Sequence, residues 1–333
     1  MTIVVDQRGR GDFTTLQAAV DALPAGKREP AVVRVKPGIY RERVVVDKDD
    51  LRIVGESAED TVVTHSACAK DPWPDGTPRG TFLSFTLLVT GQNVTVENLT
   101  VRNDAGDGRD VGQAVAVYAA GDRGAWRGCR FIGHQDTLFC GPIMPKIARD
   151  IAPRGGNAVM CVDSVGDCPP TRARQYFESC FIRGDVDFIF GPYRCWFQGC
   201  ELYMNAMGGW YTAANTPREQ PWGMVFHSCR LTGACPPGAA KLGRPWRPWA
   251  RTLFIGCDMD ACVSPRGFAD WEGGAPVSKR CGEWGTTGAR SDLSARHPGQ
   301  ALLSDEQAAA VTLAAVLGDW NPARQSEYEE VLS

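Results

Sequence analysis

The sequence predicts an all-β protein built as a parallel β-helix, with a short capping helix near the N-terminus and a second helix near the C-terminus. From Ala31 onward, short runs of β-branched and other apolar residues alternate with turns rich in Gly, Pro and Asp. A motif with an aromatic residue three positions before a cysteine occurs five times, and its successive cysteines lie 51, 20, 29 and 28 residues apart. Such spacing is typical of the coils of a solenoid whose loops vary in length.

The N-terminal helix is predicted within residues 11–24, after the strand-like pair Val4-Val5. A capping residue, apolar positions at Phe13, Leu16, Val20 and Leu23, and a terminating proline together indicate a short amphipathic helix. We expect this helix to cover one end of the solenoid.

The recurring motif defines the coils. It lies at residues 126–131, 177–182, 197–202, 226–231 and 254–259, and residues 96–101 form a degenerate copy with Val96 in place of the aromatic residue and Leu99 in place of the cysteine. Because cysteine is small and apolar, it suits an interior position that repeats from coil to coil. We therefore predict a stack of reduced thiols rather than disulfides, formed by Cys129, Cys180, Cys200, Cys229 and Cys257.

The remaining segments complete a single domain over residues 1–333. Residues 141–173 carry no repeat motif and are predicted to be a loop insertion between two coils. The spacing of Ser304 and Gln307 indicates a capping box that opens one C-terminal helix through Ala308 to Leu317, and Gly318 ends it.

Composition excludes several classes of function. A formal net charge of -3, a pI near 5.9 and scattered arginines argue against nucleic-acid binding. No apolar run reaches the roughly 18 residues that a membrane span needs. The chain has no Cys-x-x-Cys pair and four histidines without ligand spacing, so we predict no metal site. No secretory signal is visible, so we expect a cytoplasmic monomer, or a secreted protein if a leader has been removed.

Polar residues inside β-type runs are the candidates for chemistry: Gln113, Gln135, Asp136, the pair Asp185 and Asp187, and Arg244. If residues 183–191 form a regular strand, Asp185, Asp187 and Ile189 share one face, and Phe188 and Phe190 share the other as core anchors. Each polar residue has a structural explanation by itself, as a turn, ladder or surface ion-pair residue. Stacked coils could instead bring them into one cleft, where two carboxylates divide into an acid and a nucleophile and two amides stabilise an oxyanion.

Six segments, in order along the chain, resemble the signature blocks of pectin methylesterases. They are GDFTTLQAAV (11–20), VKPGIYRE (35–42), QAVA (113–116), QDTL (135–138), GDVDFIFG (184–191) and LGRPW (242–246). The resemblance implies a right-handed parallel β-helix that hydrolyses the C6 methyl ester of galacturonate units to methanol and a carboxylate, without a cofactor. The expected substrates are methylated homogalacturonan or oligogalacturonides, and a cytoplasmic enzyme would meet short imported oligomers.

The resemblance also implies a role for each residue. It makes Asp187 the nucleophile, Asp136 the general acid and later base, Gln113 and Gln135 the oxyanion donors, and Arg244 the group that orients and ionises Asp187. The expected substrate-binding aromatic residues are Trp246, Trp210, Tyr211 and Phe139. Alternation alone does not choose between Asp187 and Asp185. It also does not let the adjacent Gln135 and Asp136 face the same way, so a bend is required there.

Other functions remain open on the residues alone. A polygalacturonate lyase or glycoside hydrolase on the same scaffold would have no need for two amide donors. An esterase or thioesterase acting on a non-carbohydrate acyl group could use the same five polar residues. A serine esterase is disfavoured because the sequence contains no Gly-x-Ser-x-Gly. A non-catalytic carbohydrate-binding solenoid is the remaining alternative, and the intact Asp136 and Asp187 speak against it.

Overall fold

The structure is a computed structural model that describes residues 1–24, 30–144 and 173–323. In this part of the chain the strands are, in order, β1 Thr2–Val5, β2 Ala31–Val35, β3 Gly38–Arg41, β4 Val44–Val46, β5 Leu51–Gly55, β6 Thr61–His65, β7 Leu87–Val89, β8 Thr95–Glu97, β9 Thr100–Asn103, β10 Val117–Ala119, β11 Gly124–Arg127, β12 Arg130–Ile132, β13 Leu138–Cys140, β14 Arg174–Glu178, β15 Phe181–Gly184, β16 Ile189–Gly191, β17 Arg194–Gln198, β18 Glu201–Met204, β19 Gly209–Ala214, β20 Met224–His227, β21 Arg230–Gly233, β22 Ala240–Gly243, β23 Thr252–Ile255, β24 Asp258–Met259, β25 Cys281–Trp284, β26 Thr287–Gly288 and β27 Ala301–Leu302. The helices are α1 Leu16–Ala22, α2 Gly108–Val111, α3 Asp305–Ala309 and α4 Leu313–Leu317, with a 3-10 turn at Thr81–Leu83.

The strands form three parallel sheets that wind around one interior. The 11-stranded sheet has the order β1-β2-β5-β8-β11-β14-β17-β20-β23-β25-β27, the 9-stranded sheet β26-β24-β21-β18-β15-β12-β9-β6-β3, and the 7-stranded sheet β22-β19-β16-β13-β10-β7-β4. Consecutive strands pass from one sheet to the next, so each full coil contributes one strand to each sheet. The predicted all-β parallel β-helix is confirmed.

The recurring motif forms the turn between the 11-stranded and 9-stranded sheets. The register aligns Trp126, Phe177, Phe197, Phe226 and Phe254, and the neighbouring Phe177, Phe197 and Phe226 rings stack 4.4 Å apart. The residue before each motif cysteine has a positive φ between 51° and 60°, which turns the chain sharply. Glycine fits this conformation without a steric penalty, and three of the five positions are Gly.

The motif cysteines form the predicted stack of free thiols. Cys180, Cys200, Cys229 and Cys257 each place Sγ 3.4 to 3.6 Å from the backbone oxygen of the preceding coil's aromatic residue. Cys129 contacts the oxygen of Val96 in the same way, at 3.3 Å, so the degenerate copy at residues 96–101 is a true coil. The weak S–H donors thus satisfy carbonyl groups inside the core.

The helices agree with the predictions at one end and differ at the other. Helix α1 begins after Thr15, whose side chain accepts from the backbone N–H of Ala18, and it buries Leu16 and Val20 against the first coils. The predicted single C-terminal helix is wrong, because the structure divides it into α3 and α4. The capping box at Ser304 is present, but Thr312 caps a new helix, and Val311 between the two packs into a buried apolar cluster.

Most of the predicted insertion at residues 141–173 lies outside the described residues. Among the helices described, none is long and apolar enough to cross a membrane.

Candidate active site

The 7-stranded sheet brings the candidate residues together from four coils. Strands β10, β13, β16, β19 and β22 lie side by side, with Val117, Leu138, Ile189, Thr212 and Gly243 in one row. The candidates lie just before these strands, except Arg244, which directly follows β22. Residues from 113 to 244 therefore meet on one sheet.

Backbone hydrogen bonds continue this register into the turns before the strands. The N–H of Ala114 donates to Gln135 (3.1 Å), and the N–H of Asp136 donates to Val186 (3.0 Å). Three successive coils therefore carry these residues: Gln113 lies on the first, Gln135 and Asp136 on the second, and Asp187 on the third. Both glutamine side chains are partly exposed, and no residue in the described ranges hydrogen-bonds to either side-chain amide. Two N–H₂ groups are thus available to an oxygen that develops negative charge.

Both aspartates stand on left-handed backbone bends. Asp136 has a φ of 65° and Asp187 has a φ of 51°. This conformation is uncommon for residues other than Gly and costs about 1–3 kcal/mol, although Asp tolerates it better than most residues. The bend at Asp136 supplies the departure from alternation that the sequence required there.

The same bend at Asp187 overturns the prediction that residues 183–191 form one regular strand. β15 ends at Gly184 and β16 begins at Ile189, so the intervening residues form a turn. Phe188 lies in the solenoid interior with Ile189, whereas Phe190 packs on the outer face of the sheet. Both rings are buried core anchors, but they do not share a face.

Arg244 holds Asp187 through two parallel contacts. Its Nε donates to Oδ1 at 2.9 Å and its Nη2 to Oδ2 at 2.7 Å. The guanidinium lies between two indole rings, 3.9 Å from the centroid of Trp210 and 4.1 Å from that of Trp271. Two aromatic faces and a bidentate ion pair fix both the plane and the direction of this cation.

The two carboxyl groups have different proton affinities. Burial, followed by the negative charge of Asp187, raises the pKa of Asp136 well above its usual value, and Arg244 opposes this effect. Burial also raises the pKa of Asp187, but the hydrogen bonds and positive charge of Arg244 counteract it. Asp136 therefore keeps its proton to higher pH than Asp187. Such a divided pair can supply one acid and one nucleophile or base.

Two of the four predicted substrate-binding aromatic residues are placed on the sheet surface. Trp210 is partly exposed and covers Arg244, and Trp246 is partly exposed with its ring centroid 6.0 Å from that of Phe190.

The predictions for Tyr211 and Phe139 are wrong. Tyr211 is 0% exposed and its hydroxyl donates to the backbone of Thr232, because alternation along β19 turns it inward next to Trp210. Phe139 is also 0% exposed, because the neighbouring rings of Phe82 and Phe190 cover it. It forms part of the support beneath the site.

A protein-family model described as Pectinesterase matches residues 2–142 and 170–319, which is most of the chain. The chain belongs to the pectinesterase family. Pectinesterases are carboxylic ester hydrolases, and the fold agrees with those solved for the family. The gap between the two matched segments falls within the predicted insertion at 141–173.

Individual pectinesterases show the same likeness. Pectinesterase 31 of Arabidopsis thaliana is 32% identical over 311 residues, which covers 91% of this chain and 88% of that protein. Two longer relatives from the same plant, named probable pectinesterase/pectinesterase inhibitors 23 and 6, are matched over 43% and 48% of their length. The structure of pectin methylesterase from carrot superposes with a TM-score of 0.78 at 27% identity, over 97% of this chain and 95% of that one. A pectin methylesterase in complex with a hexasaccharide gives a TM-score of 0.77 at 27% identity, over 96% and 98%.

Sequence reasoning missed three residues of this candidate site. Trp271 comes from a loop after the last strand of the 7-stranded sheet, and nothing in its local sequence indicates a contact with Arg244. His134 and Asn205 contact Asp185. His134 directly precedes Gln135 in the sequence, and that adjacency was the one available signal.

Proposed function

We propose that the chain hydrolyses the C6 methyl esters of galacturonate units through an acyl-enzyme on Asp187. The observation that carries the proposal is the divided pair of carboxyl groups, in which Arg244 binds Asp187 through two hydrogen bonds while burial raises the pKa of Asp136 well above its usual value. A methyl ester needs a nucleophile at its carbonyl carbon and an acid for the departing methoxide. The pair supplies both, and the family membership supports the reaction.

In the first step, an oxygen of Asp187 attacks the ester carbonyl carbon. The carbonyl oxygen becomes negative and accepts hydrogen bonds from the amides of Gln113 and Gln135. The bond from carbon to the methoxy oxygen then breaks, and Asp136 gives its proton to form methanol. The products of this step are an anhydride between Asp187 and the sugar carboxyl group, and an ionised Asp136.

In the second step, water attacks the sugar carbonyl carbon of the anhydride. Asp136 accepts a proton from this water, and the bond to the Asp187 oxygen breaks. The galacturonic acid group leaves with the water hydroxyl and then ionises in solution, Asp187 returns as a carboxylate bound by Arg244, and Asp136 is again protonated. One methanol and one free carboxylic acid group form for each water consumed.

Partly exposed indole rings favour a sugar ligand at this site. Trp210, which covers Arg244, and Trp246, which packs beside Phe190, are both partly exposed and offer flat apolar surfaces that suit the C–H faces of pyranose rings. The related pectin methylesterase in complex with a hexasaccharide supports an oligosaccharide as the substrate. We infer that methylated oligogalacturonides or homogalacturonan occupy this surface.

The test is methanol release from methylated galacturonides by the wild type, Asp187→Ala and Asp136→Ala. We expect release by the wild type, no acyl-enzyme and no release above background for Asp187→Ala, and a large loss for Asp136→Ala. Glu272→Ala is the matched control, because this exposed acidic residue lies next to Trp271 but outside the pair. If the wild type released no methanol, the proposed activity would be refuted. Undiminished methanol release by Asp187→Ala would refute the assignment of the nucleophile.

We also propose a reducing compartment and short substrates. All the cysteines in the described ranges are free and buried, as the stacked thiols require, and such thiols persist most readily where disulfides do not form. An enzyme in the cytoplasm would meet short imported oligomers rather than a polymer. Comparing turnover of methylated oligomers and polymer tests the substrate length, and a strong preference for long polymer would contradict it.

A further inference from the structure

Asp185, the other aspartate of the GDVDFIFG segment, lies at the centre of a buried hydrogen-bond network. The residue is 1% exposed. Its Oδ1 accepts from the backbone N–H of Val186 at 2.8 Å, and its Oδ2 lies 3.1 Å from Nδ2 of Asn205 and 3.0 Å from Nδ1 of His134. Three groups therefore meet at one carboxyl group, and both of its oxygens have hydrogen-bond partners.

The orientation of Asn205 is itself fixed. Its Oδ1 accepts from Nε of Arg183 at 2.6 Å, which leaves Nδ2 to donate to Asp185 and to the backbone oxygen of Gly133 at 3.2 Å. The start of helix α2 covers the carboxylate from outside. A Cβ atom at Gly108 would come within 2.9 Å of Cβ of Gln135 and 3.2 Å of Oδ1 of Asp185, so glycine permits this close approach.

The network lies at the base of both left-handed bends. Backbone bonds join Asp185 to His134 (N to O, 3.2 Å) and Asp136 to Val186 (3.0 Å). His134 precedes Gln135 and Asp136 by one and two residues, and Asp185 precedes Asp187 by two. The carboxylate of Asp185 thus ties the turn that carries the acid to the turn that carries the nucleophile.

We propose that Asp185 is a positioning residue for ester hydrolysis, holding the bends at Asp136 and Asp187 in register through His134, Asn205 and Val186. This role rests on the proposed function. A left-handed aspartate is held against its own backbone preference, so it needs support from its surroundings. A displacement of about 1 Å between reacting groups can reduce the rate about 100-fold.

The charge of Asp185 has a second effect on the same site. Asp136 is faced by the charged groups of Asp187, Arg244 and Asp185, and the two carboxylates favour its protonated form while the arginine opposes them. Asp185 in turn is faced by His134 and, at longer range, by Arg109. Neutralising Asp185 therefore lowers the pKa of Asp136, and the alkaline limb of the activity profile moves to lower pH.

The experiment compares Asp185→Asn with Glu283→Gln. Glu283 is 0% exposed and is bound by Arg296, Gln300 and Thr286 near the C-terminal end of the solenoid, so its substitution neutralises a comparably buried carboxylate away from the site. We expect Asp185→Asn to lower kcat for methanol release about 10- to 100-fold with little change in KM, and to shift the alkaline limb. Glu283→Gln should lower Tm but leave kcat and the pH profile unchanged well below its Tm.

Two additional measurements keep the proposal testable. If Asp185→Asn does not fold, His134→Ala and Asn205→Ala each remove one partner and should also lower kcat more than they raise KM. Titration of Asp136 by NMR with ¹³C-labelled aspartate needs no substrate, so it separates this proposal from the ester hydrolase activity. A folded Asp185→Asn protein with wild-type kcat, or with an unshifted Asp136 titration, would overturn the proposal.

Discussion

Replacing Arg244 with Lys tests whether the guanidinium fork sets the proton affinity of Asp187. Arg244 makes two charge-assisted hydrogen bonds, of 2.9 and 2.7 Å, to a carboxylate that is 6% exposed. Lysine keeps the positive charge but cannot reproduce both parallel bonds or the stacking between Trp210 and Trp271. The ionised form of Asp187 loses stabilisation in the variant, while the protonated form is affected less.

The magnitude follows from the lost bond. One hydrogen bond to a charged group contributes about 1.5–3 kcal/mol, and about 1.4 kcal/mol corresponds to one pKa unit. The pKa of Asp187 should therefore rise by about one to two units in Arg244→Lys. Because Asp187 must be ionised to act as the proposed nucleophile, the acid limb of kcat/KM should move to higher pH by the same amount.

The assay is methanol release across the pH range, with kcat/KM as the quantity plotted because it reports the free enzyme. Arg244→Gln provides the second point, since it removes the charge as well as the fork and should shift the acid limb further. The two carboxyl groups interact, so the limbs report the pair as a whole. An acid limb that stays in place in a folded Arg244→Lys enzyme would refute the role assigned to the fork.

Three other predictions address the surroundings of the pair. Asp136→Asn should abolish activity but stabilise the fold at neutral and alkaline pH. Because the pKa of Asp136 is raised in the folded protein, the stability of the wild type falls as pH rises above the ordinary aspartate value of 3.8. Thermal melts should therefore show a flatter pH dependence in the variant, and a variant that is less stable than the wild type at alkaline pH would contradict this reasoning. Trp271→Ala removes one of two cation–π contacts with Arg244, each contributing about 1 kcal/mol, and should reduce kcat/KM about fivefold at low pH, with Trp271→Phe recovering most of the loss. Phe197→Ala opens a cavity within the aromatic stack and should lower the free energy of unfolding by about 3–5 kcal/mol, measured by denaturant titration, whereas an unchanged midpoint would show that the stack contributes little.

Much of the fold could be predicted from the sequence because a solenoid repeats its local rules. Each coil places an aromatic residue, a left-handed turn and a cysteine at the same offsets, so five copies of one motif reveal the register of two sheets. The split of the C-terminal helix could not be predicted in the same way. There, the tertiary burial of Val311 and the cap at Thr312 overrode a continuous run of helix-forming residues.

The candidate site, too, could be predicted from the sequence only in part. Family blocks mark residues on the coils themselves, and the structure places Gln113, Gln135, Asp136, Asp187 and Arg244 on neighbouring coils. Trp271 could not be found because its contact with Arg244 depends on how a distant loop folds back over the sheet. Tyr211 and Phe139 were misassigned because an aromatic residue beside a catalytic position can face either side of a strand, and only the strand register decides which.

The two aspartates of the GDVDFIFG segment show why a regular strand cannot perform this chemistry. In an unbroken strand, Asp185 and Asp187 would point the same way, and two neighbouring carboxylates would repel each other without dividing their roles. The left-handed residue at Asp187 breaks the alternation, so Asp187 reaches Arg244 while Asp185 remains with His134 and Asn205. Asp136 has the same conformation, and it lies within range of the negative charge of Asp187. In the proposed mechanism, the backbone bend therefore assigns Asp187 to the substrate and leaves Asp185 to support the two turns.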